Sequence, residues 1–289
     1  MSPVVRQIAR SLSAELHNAS VNGRPVRAVG AASAMAARIA VDAGFDALWV
    51  SGLEVSTMLG LPDENVLSSR DLADTVLALR RAAGLPVIVD IDNAGGTVAA
   101  AGRIGFDLAR AGAAALCLED SAYPKTNSFS LHRDQELAEM ELVRGQLKEL
   151  RARGGDQLVL IARTEALICG GTLQEAIIRA ETYVAGGADA VLIHSKDPTG
   201  QQALQTASAW KGNAPLVSVP TAFPTLDARM LGKAGFSLAI YANQLSRAAM
   251  HAMREAAEDF RSTGRFDPDR LADVQDLLQV GNPDARASL

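Results

Sequence analysis

The sequence predicts an α/β protein built as one (β/α)8 TIM-type barrel. Eight short apolar runs, each too short for a helix, alternate with stretches of helical periodicity. The runs are almost continuously apolar, which is typical of parallel strands buried on both faces. Eight such units fit a chain of 289 residues. A doubly wound open sheet is the alternative, but no Gly-rich dinucleotide fingerprint supports it.

The N-terminal segment, residues 1–20, is predicted to be a helix because its apolar residues fall on one face. It has no continuous apolar stretch, so it is neither a signal peptide nor a membrane span. The predicted strands lie within residues 27–32, 43–52, 85–92, 111–120, 157–164, 186–195, 214–220 and 234–243. In four of these segments Gly stands where a preceding helix is expected to end.

After the last strand, residues 244–264 have helical periodicity and predict a C-terminal helical extension. We therefore expect a single domain over residues 1–289, with the barrel core at about 25–261 and a tail at 262–289.

The composition excludes several classes of partner. A net charge of −5 and a pI near 5.5, with dispersed basic residues, argue against nucleic acid and anionic membranes. Cys117 and Cys169 both lie in apolar stretches, which predicts a reducing, cytoplasmic location without disulfides or a zinc site.

Polar residues collect where the predicted strands end. In a barrel these ends form one mouth, where catalytic groups gather, so these side chains are expected to converge. They are Ser51, Gly52, Asp90, Asp92, Glu119, Asp120, Arg163, Glu165, His194, Ser195, Thr221 and Asn243. The simpler interpretation, that polar residues mark every strand end, does not explain why the opposite ends carry Gly, Ala and Pro.

The carboxylates at this mouth predict a metal site. Asp90, Asp92, Glu119 and Asp63 would repel one another unless their pKa values rise or a divalent cation binds. Oxygen ligands without Cys or clustered His indicate Mg²⁺ or Mn²⁺. Capping of a turn by Asp90 and Asp92 is the structural alternative.

Arg163 and His194 predict an anionic, oxygen-rich substrate, because guanidinium and imidazole groups hydrogen-bond to carboxylate or phosphoryl oxygens. An ordinary ion pair of Arg163 with Glu165 is the alternative. The loop "SAYPKTNSFSLHRD" after the fourth strand offers Lys125 and Asn127 to a bound anion, and we expect it to close over substrate unless it is only a connector.

Over roughly residues 25–255 the sequence resembles the phosphoenolpyruvate mutase/isocitrate lyase superfamily and, within it, the phosphoenolpyruvate phosphonomutases. The mutase signature E-D-K-x5-N-S is matched by Glu119, Asp120, Asn127 and Ser128. The motifs that carry the resemblance are "WVSGLEVSTMLGLPDEN", "VDIDNAGG", "LEDSAYPKTNS", "IARTEALICGG", "GGADAVLIHSK" and "PLVSVPT".

The resemblance implies interconversion of phosphoenolpyruvate and phosphonopyruvate, which is the first step into natural phosphonates. It implies that Asp90 binds Mg²⁺ directly, and that Asp63, Asp92 and Glu119 hold the waters of the metal. The implied substrate and phosphoryl contacts are Ser51, Gly52, Leu53, Lys125, Asn127, Ser128, Arg163 and His194. It also implies a homodimer or homotetramer that exchanges the last barrel helix.

Other members of the superfamily remain as alternatives. The isocitrate and methylisocitrate lyases carry Lys-[Lys/Arg]-Cys-Gly-His in this loop, whereas residues 124–128 here contain no Cys. Phosphonopyruvate hydrolase resembles the mutase but departs from the Thr-Asn-Ser loop. A non-catalytic binding barrel is a further alternative, because Ser121 stands where the signature has Lys.

Overall fold

The computed structural model describes residues 3–128 and 135–280, with side chains from residue 7 onward. Its strands form a closed parallel barrel in chain order, so the predicted fold class is confirmed. The strands are β1 Val26–Gly30, β2 Ala47–Val50, β3 Val87–Asp90, β4 Ala115–Glu119, β5 Val159–Thr164, β6 Ala190–Ile193, β7 Leu216–Ser218 and β8 Phe236–Tyr241.

Most helices connect successive strands on the outside of the barrel, whereas the first precedes β1 and the last two follow β8. The helices are α1 Pro3–Asn22, α2 Ala34–Asp42, α3 Gly52–Leu59, α4 Ser69–Ala82, α5 Val98–Ala111, α6 Met140–Gly154, α7 Leu173–Ala185, α8 Gln201–Ala209, α9 Ala228–Ala234, α10 Gln244–Thr263 and α11 Val274–Val280. No helix among residues 3–128 and 135–280 combines the length and the apolar character that a membrane crossing requires.

The N-terminal helix α1 closes the end of the barrel opposite the strands' carboxyl ends. Its buried residues Ala9, Leu12 and Leu16 join the cluster of side chains that fills the barrel interior, including Val26 and Val159 at the starts of two strands. Burial of this apolar face explains why the segment is helical. The other end of the barrel is left for polar side chains.

Two connections shape that open end. After β3, Asp92 has a left-handed backbone with φ 48°, which turns the chain sharply. Gly96 in the same turn has φ 68°, and a Cβ there would lie 2.4 Å from the Cβ of Tyr123. Glycine therefore allows the loop after β4 to pack directly on the loop after β3.

The C-terminal helix α10 lies outside the core, and none of its residues is buried. It leaves Met253 and Phe260 about half exposed or more. The predicted C-terminal extension is thus helical, and α11 of the tail contacts α2. Residues 281–289 of the predicted tail lie outside the described residues.

Candidate active site

One cavity at the carboxyl ends of the strands brings the predicted site residues together. Its lining includes Ser51, Leu53, Asp63, Asp90, Asp92, Glu119, Lys125, Asn127, Ser128, Arg163 and His194. Gly52 lines an adjoining cavity that shares Asp63, Asp90 and Asp92 with the first. The parallel register explains part of this convergence, since it places Glu119 beside Arg163 on neighbouring strands.

Lys125 and Asn127 attach the loop after β4 to the carboxylates across the cavity. The Lys125 Nζ lies 2.7 Å from Asp63 Oδ1 and 2.6 Å from Asp92 Oδ1. Asn127 Nδ2 donates a hydrogen bond of 2.6 Å to Asp63 Oδ2, and Asn65 Oδ1 accepts one of 2.6 Å from the Lys125 backbone. The first half of the loop is therefore folded over the site rather than away from it.

Four side chains that contact one another form a further wall; Ser128, Glu165 and His194 are buried, and Arg163 is partly buried. Glu165 accepts hydrogen bonds from the Arg163 guanidinium and, over 2.7 Å, from the Ser128 hydroxyl. The His194 Nδ1 lies 2.8 Å from the same carboxylate. The Arg163–Glu165 pair that the sequence left as an alternative thus exists, yet Arg163 also lines the cavity.

Charges in this wall fix the protonation states. Burial opposes the charge of Glu165, but the Arg163 guanidinium and His194 hold the pKa of Glu165 well below its usual range. Burial lowers the pKa of His194 despite the nearby Glu165. The imidazole is therefore neutral at neutral pH and presents one donor and one acceptor nitrogen.

The carboxylates of the cavity carry an excess of negative charge. Asp63, Asp90, Asp92 and Glu119 line it, and the described cationic side chains in the lining are Lys125 and Arg163. Burial, and then Asp92, raises the pKa of Asp90 to about 7. Burial, opposed by Arg163, raises the pKa of Glu119 to about 8.

This donor set fits a hard divalent cation held mainly through water. A surplus of two carboxylates matches the charge of Mg²⁺, which usually keeps several waters and binds one or two carboxylates directly. Among the described residues no three His, Cys, Asp or Glu side chains form a closed ligand cluster. The arrangement therefore suits an ion with one or two direct protein ligands.

Ser121 replaces a cation of the signature with a hydroxyl. Its Oγ donates a hydrogen bond of 2.6 Å to Glu119 Oε1, and the residue is buried. The hydroxyl orients the carboxylate but brings no compensating charge. Glu119 therefore lacks, at this position, the neighbouring ammonium group that would lower its pKa and offset its charge.

The family model for phosphoenolpyruvate phosphomutase matches residues 14–261 of this chain. The chain belongs to the phosphoenolpyruvate phosphomutase family. Phosphonopyruvate hydrolase from Variovorax sp. (strain Pal2) is 37% identical over 265 residues, which cover 90% of this chain and 91% of the hydrolase.

Two solved structures of related enzymes share the fold of this chain. A phosphoenolpyruvate phosphomutase from Streptomyces platensis subsp. rosaceus is 36% identical, with a TM-score of 0.89 over 96% of this chain and 97% of that one. A phosphonopyruvate hydrolase solved with oxalate and Mg²⁺ is 32% identical, with a TM-score of 0.86 over 96% of each chain.

In this phosphomutase-family barrel, a buried network behind the site was missed at the level of sequence. The Asp120 carboxylate accepts hydrogen bonds of 2.7 Å from the Tyr183 hydroxyl, 2.8 Å from the Thr164 hydroxyl and 3.2 Å from Arg179 Nη1. Its other oxygen accepts one of 2.8 Å from the Glu165 backbone N–H. Arg179 and Tyr183, four residues apart on one helix, were the available signal.

A further side of the cavity is lined by residues to which the sequence analysis assigned no specific function. Trp49, Val219, Thr221 and Asn243 line it, at or near the ends of β2, β7 and β8. Thr221 and Asn243 were predicted to lie at this mouth, whereas Trp49 was missed because an apolar run hides it. The cavity is thus polar and charged on one side, and lined by both apolar and polar side chains on the other.

Proposed function

We propose that this protein is a phosphoenolpyruvate phosphonomutase that interconverts phosphoenolpyruvate and phosphonopyruvate with a divalent metal. The observation that carries the proposal is the position of Asn127. This residue belongs to the mutase signature, lines the same cavity as Arg163 and His194, and donates to Asp63.

The substrate carboxylate binds at the start of α3 in this proposal. Ser51 is the N-cap of this helix, and its side chain makes no capping hydrogen bond to the first turn. The backbone N–H groups of Gly52 and Leu53 are therefore available to an anion, which the helix dipole also favours.

The phosphoryl group lies between Asn127, Arg163 and His194. Phosphoryl transfer through a loose transition state spreads negative charge over the phosphoryl oxygens. Arg163 Nη2 lies 3.0 Å from His194 Nδ1, and donation to this nitrogen places the single proton of the neutral imidazole on Nε2. A guanidinium, an amide and this Nε2–H, fixed around the charge, stabilise it without having to reorganise. Glu165 and Ser128 hold Arg163 in place, and Lys125 adds a cation at the carboxylate side.

Asp90 binds Mg²⁺ directly, with Mn²⁺ as the other suitable ion, and Asp63, Asp92 and Glu119 hold its waters. The metal supplies positive charge that stabilises the enolate left when the O–P bond breaks. The surplus of carboxylates in the cavity supports this assignment, as does the Mg²⁺ bound in the related hydrolase.

Exclusion of water decides between transfer and hydrolysis. Water in the closed site would capture the phosphoryl fragment and give pyruvate and phosphate. The loop predicted to close over the site comprises residues 121–131, of which residues 129–131 lie outside the described part. Within that part, Lys125 and Ser128 are buried, which supports a covering role.

Phosphonopyruvate hydrolysis is the second candidate function. The similarity to the Variovorax hydrolase over 90% of this chain favours it. Carbon–carbon cleavage as in the isocitrate lyases is disfavoured. Those enzymes carry a cysteine in this loop, whereas residues 121–128 of this chain contain none. A non-catalytic barrel is disfavoured because Asp90, Arg163 and His194 are all present and lie in one cavity.

We also propose that the protein is a homodimer or homotetramer in which α10 packs on a second copy. Met250, Met253 and Phe260 recur at helical spacing on one face of α10 and are exposed in the single chain. Such an apolar face gains free energy by burial against a partner.

A coupled assay tests the proposed reaction. The protein is incubated with phosphonopyruvate and Mg²⁺, and pyruvate is detected with lactate dehydrogenase and NADH. A mutase produces pyruvate only when pyruvate kinase and ADP are added, because phosphoenolpyruvate must first be dephosphorylated. Pyruvate formation without them would indicate the hydrolase and contradict the proposal.

A further inference from the structure

Glu54 is a buried carboxyl group that the proposed chemistry does not use. It follows Leu53 in the first turn of α3, is 3% exposed and does not line the catalytic cavity. Its Oε1 accepts a hydrogen bond from the hydroxyl of Ser246, which lies in the first turn of α10. Glu54 thus joins the helix start that would bind the substrate carboxylate to the C-terminal helix.

The second carboxyl oxygen of Glu54 has no suitable partner. Oε2 is buried, and within residues 3–128 and 135–280 no group donates a hydrogen bond to it. A Cβ placed on Gly30 would lie 2.4 Å from this oxygen and 2.1 Å from the carbonyl oxygen of Ala242. Both acceptor oxygens therefore border the same space above Gly30, and a proton on Glu54 supplies the donor that a contact between them needs.

The electrostatics agree with this geometry. Burial raises the pKa of Glu54 to about 7, although the hydrogen bond from Ser246 acts in the opposite direction. The pKa rises because removal from water disfavours the charged form of an acid. Glu54 is therefore largely uncharged below neutral pH and ionises within the physiological range.

The neighbouring elements do not offset the charge that appears on ionisation. On β1, Arg27 pairs with Asp46 at 2.9 Å, at the opposite end of the strand. On β8, Tyr241 has its pKa raised mainly by burial, and Glu54 is not among the charges that affect it. Arg247, next to Ser246 on α10, is not among the groups that shift the pKa of Glu54.

We propose that Glu54 is a positioning residue that holds residues 51–53 against α10 while it is uncharged and releases them when it ionises. An ionised Glu54 faces the Ala242 carbonyl without a donor and adds negative charge behind the amides that would bind the substrate carboxylate. Substrate affinity therefore falls as pH rises through neutrality. The role of the turn rests on the proposed function, whereas the protonation of Glu54 does not.

The protonation is tested by carbon-13 NMR of protein labelled at the glutamate δ-carbons. We expect one resonance that is absent from Glu54→Gln to titrate near neutral pH. A resonance assigned in this way that titrates near the ordinary value of about 4.3 would overturn the proposal, whatever the catalytic activity.

The effect of Glu54 ionisation on ligand affinity is tested by calorimetric titration of oxalate in saturating Mg²⁺. Oxalate is suitable because it keeps its charge from about pH 6 to about pH 8.5. We expect the parent protein to lose affinity over this range about fivefold more than Glu54→Gln, whose side chain is always neutral. Glu181→Gln, a change of the same kind at an exposed position on α7, should behave as the parent does.

Two outcomes separate this proposal from the proposed function. Absence of oxalate binding by the parent at every pH contradicts the carboxylate site itself. Binding with the same pH dependence in parent and Glu54→Gln contradicts the role of Glu54 alone. If Glu54→Gln does not fold, Ser246→Ala gives the comparison: loss of the donor raises the pKa further, so the fall in affinity must move to higher pH.

Discussion

Asp90 and Asn127 line the same cavity, but their chemical environments assign them different tasks. Asp90 is a buried acid whose pKa is raised to about 7, so a cation would relieve its charge. Asn127 is a neutral amide that donates to Asp63 and adds no charge to the site. We therefore expect Asp90 to be a metal ligand and Asn127 to contact the phosphoryl group.

The variants Asp90→Ala and Asn127→Ala separate these tasks. We expect Asp90→Ala to abolish both turnover and Mg²⁺ binding measured by calorimetry, because it removes the direct ligand. Asn127→Ala should lower kcat/KM by about 10²- to 10³-fold while Mg²⁺ affinity is retained, since one donor to the transition state is lost. Equal loss of metal binding in both variants would show that the assignments are wrong.

Helix α7 supports the site from behind, through its contacts with Asp120. The Tyr183 hydroxyl and the Arg179 guanidinium both reach this fully buried carboxylate. Asp120 in turn accepts a hydrogen bond from the backbone of Glu165, which holds Arg163 and His194. The position of a catalytic wall thus depends on an outer helix.

We expect Tyr183→Phe to lower the free energy of unfolding by about 1–2 kcal/mol, because it keeps the packed ring but leaves Asp120 with one donor fewer. Urea denaturation measures the change. Tyr123→Phe, at a position 60% exposed, is the matched control and should change stability by less than about 0.5 kcal/mol. Equal effects of the two substitutions would indicate that the buried hydroxyl contributes nothing to the network.

Helix α10 is the element whose apolar face lacks a covering layer in the single chain. We expect the parent protein to run as a dimer or tetramer in multi-angle light scattering, and Met253→Lys to weaken this association by placing a charge on the face. Glu255→Lys, on the opposite side of α10, should leave the mass unchanged. A parent protein that is monomeric at micromolar concentration would contradict the proposed oligomer.

The whole barrel was predictable because its strands are short, apolar and bounded by helix ends, and each signal lies within about ten residues of chain. Convergence of Asp90, Glu119, Arg163 and His194 followed from the barrel rule that strand ends meet. The Asp120 network could not be predicted in this way, because its partners Arg179 and Tyr183 lie on the outer helix α7 and not at the end of a strand. Such contacts depend on the direction in which each side chain points, and the hydrophobic periodicity of the sequence does not give this direction.

The surplus of carboxylates predicts how the stability of the whole molecule depends on pH. Asp90 and Glu119 have pKa values raised to about 7 and about 8, so the folded state binds more protons than the unfolded state between about pH 4 and these values. Without metal, stability should therefore fall as pH rises from about 5 to about 8. Glu165, whose pKa is lowered, contributes only in more acid solution.

Added Mg²⁺ should reverse this trend. Cations bind the deprotonated carboxylates, so the rise in Tm produced by saturating Mg²⁺ over EDTA is expected to be larger at about pH 8 than at about pH 5.5. Thermal unfolding followed by circular dichroism gives both values. A shift of equal size at the two pH values would contradict a metal site built on these acids.

We expect this cavity to move a phosphoryl group from carbon to oxygen without releasing it. Phosphorus-31 NMR of the purified protein with Mg²⁺ and phosphonopyruvate tests it most directly, because the phosphonate, enol phosphate and free phosphate signals are resolved in one sample. We predict that phosphoenolpyruvate appears as the phosphonate signal decays. Free phosphate as the first product, or an unchanged phosphonate signal, would contradict this expectation.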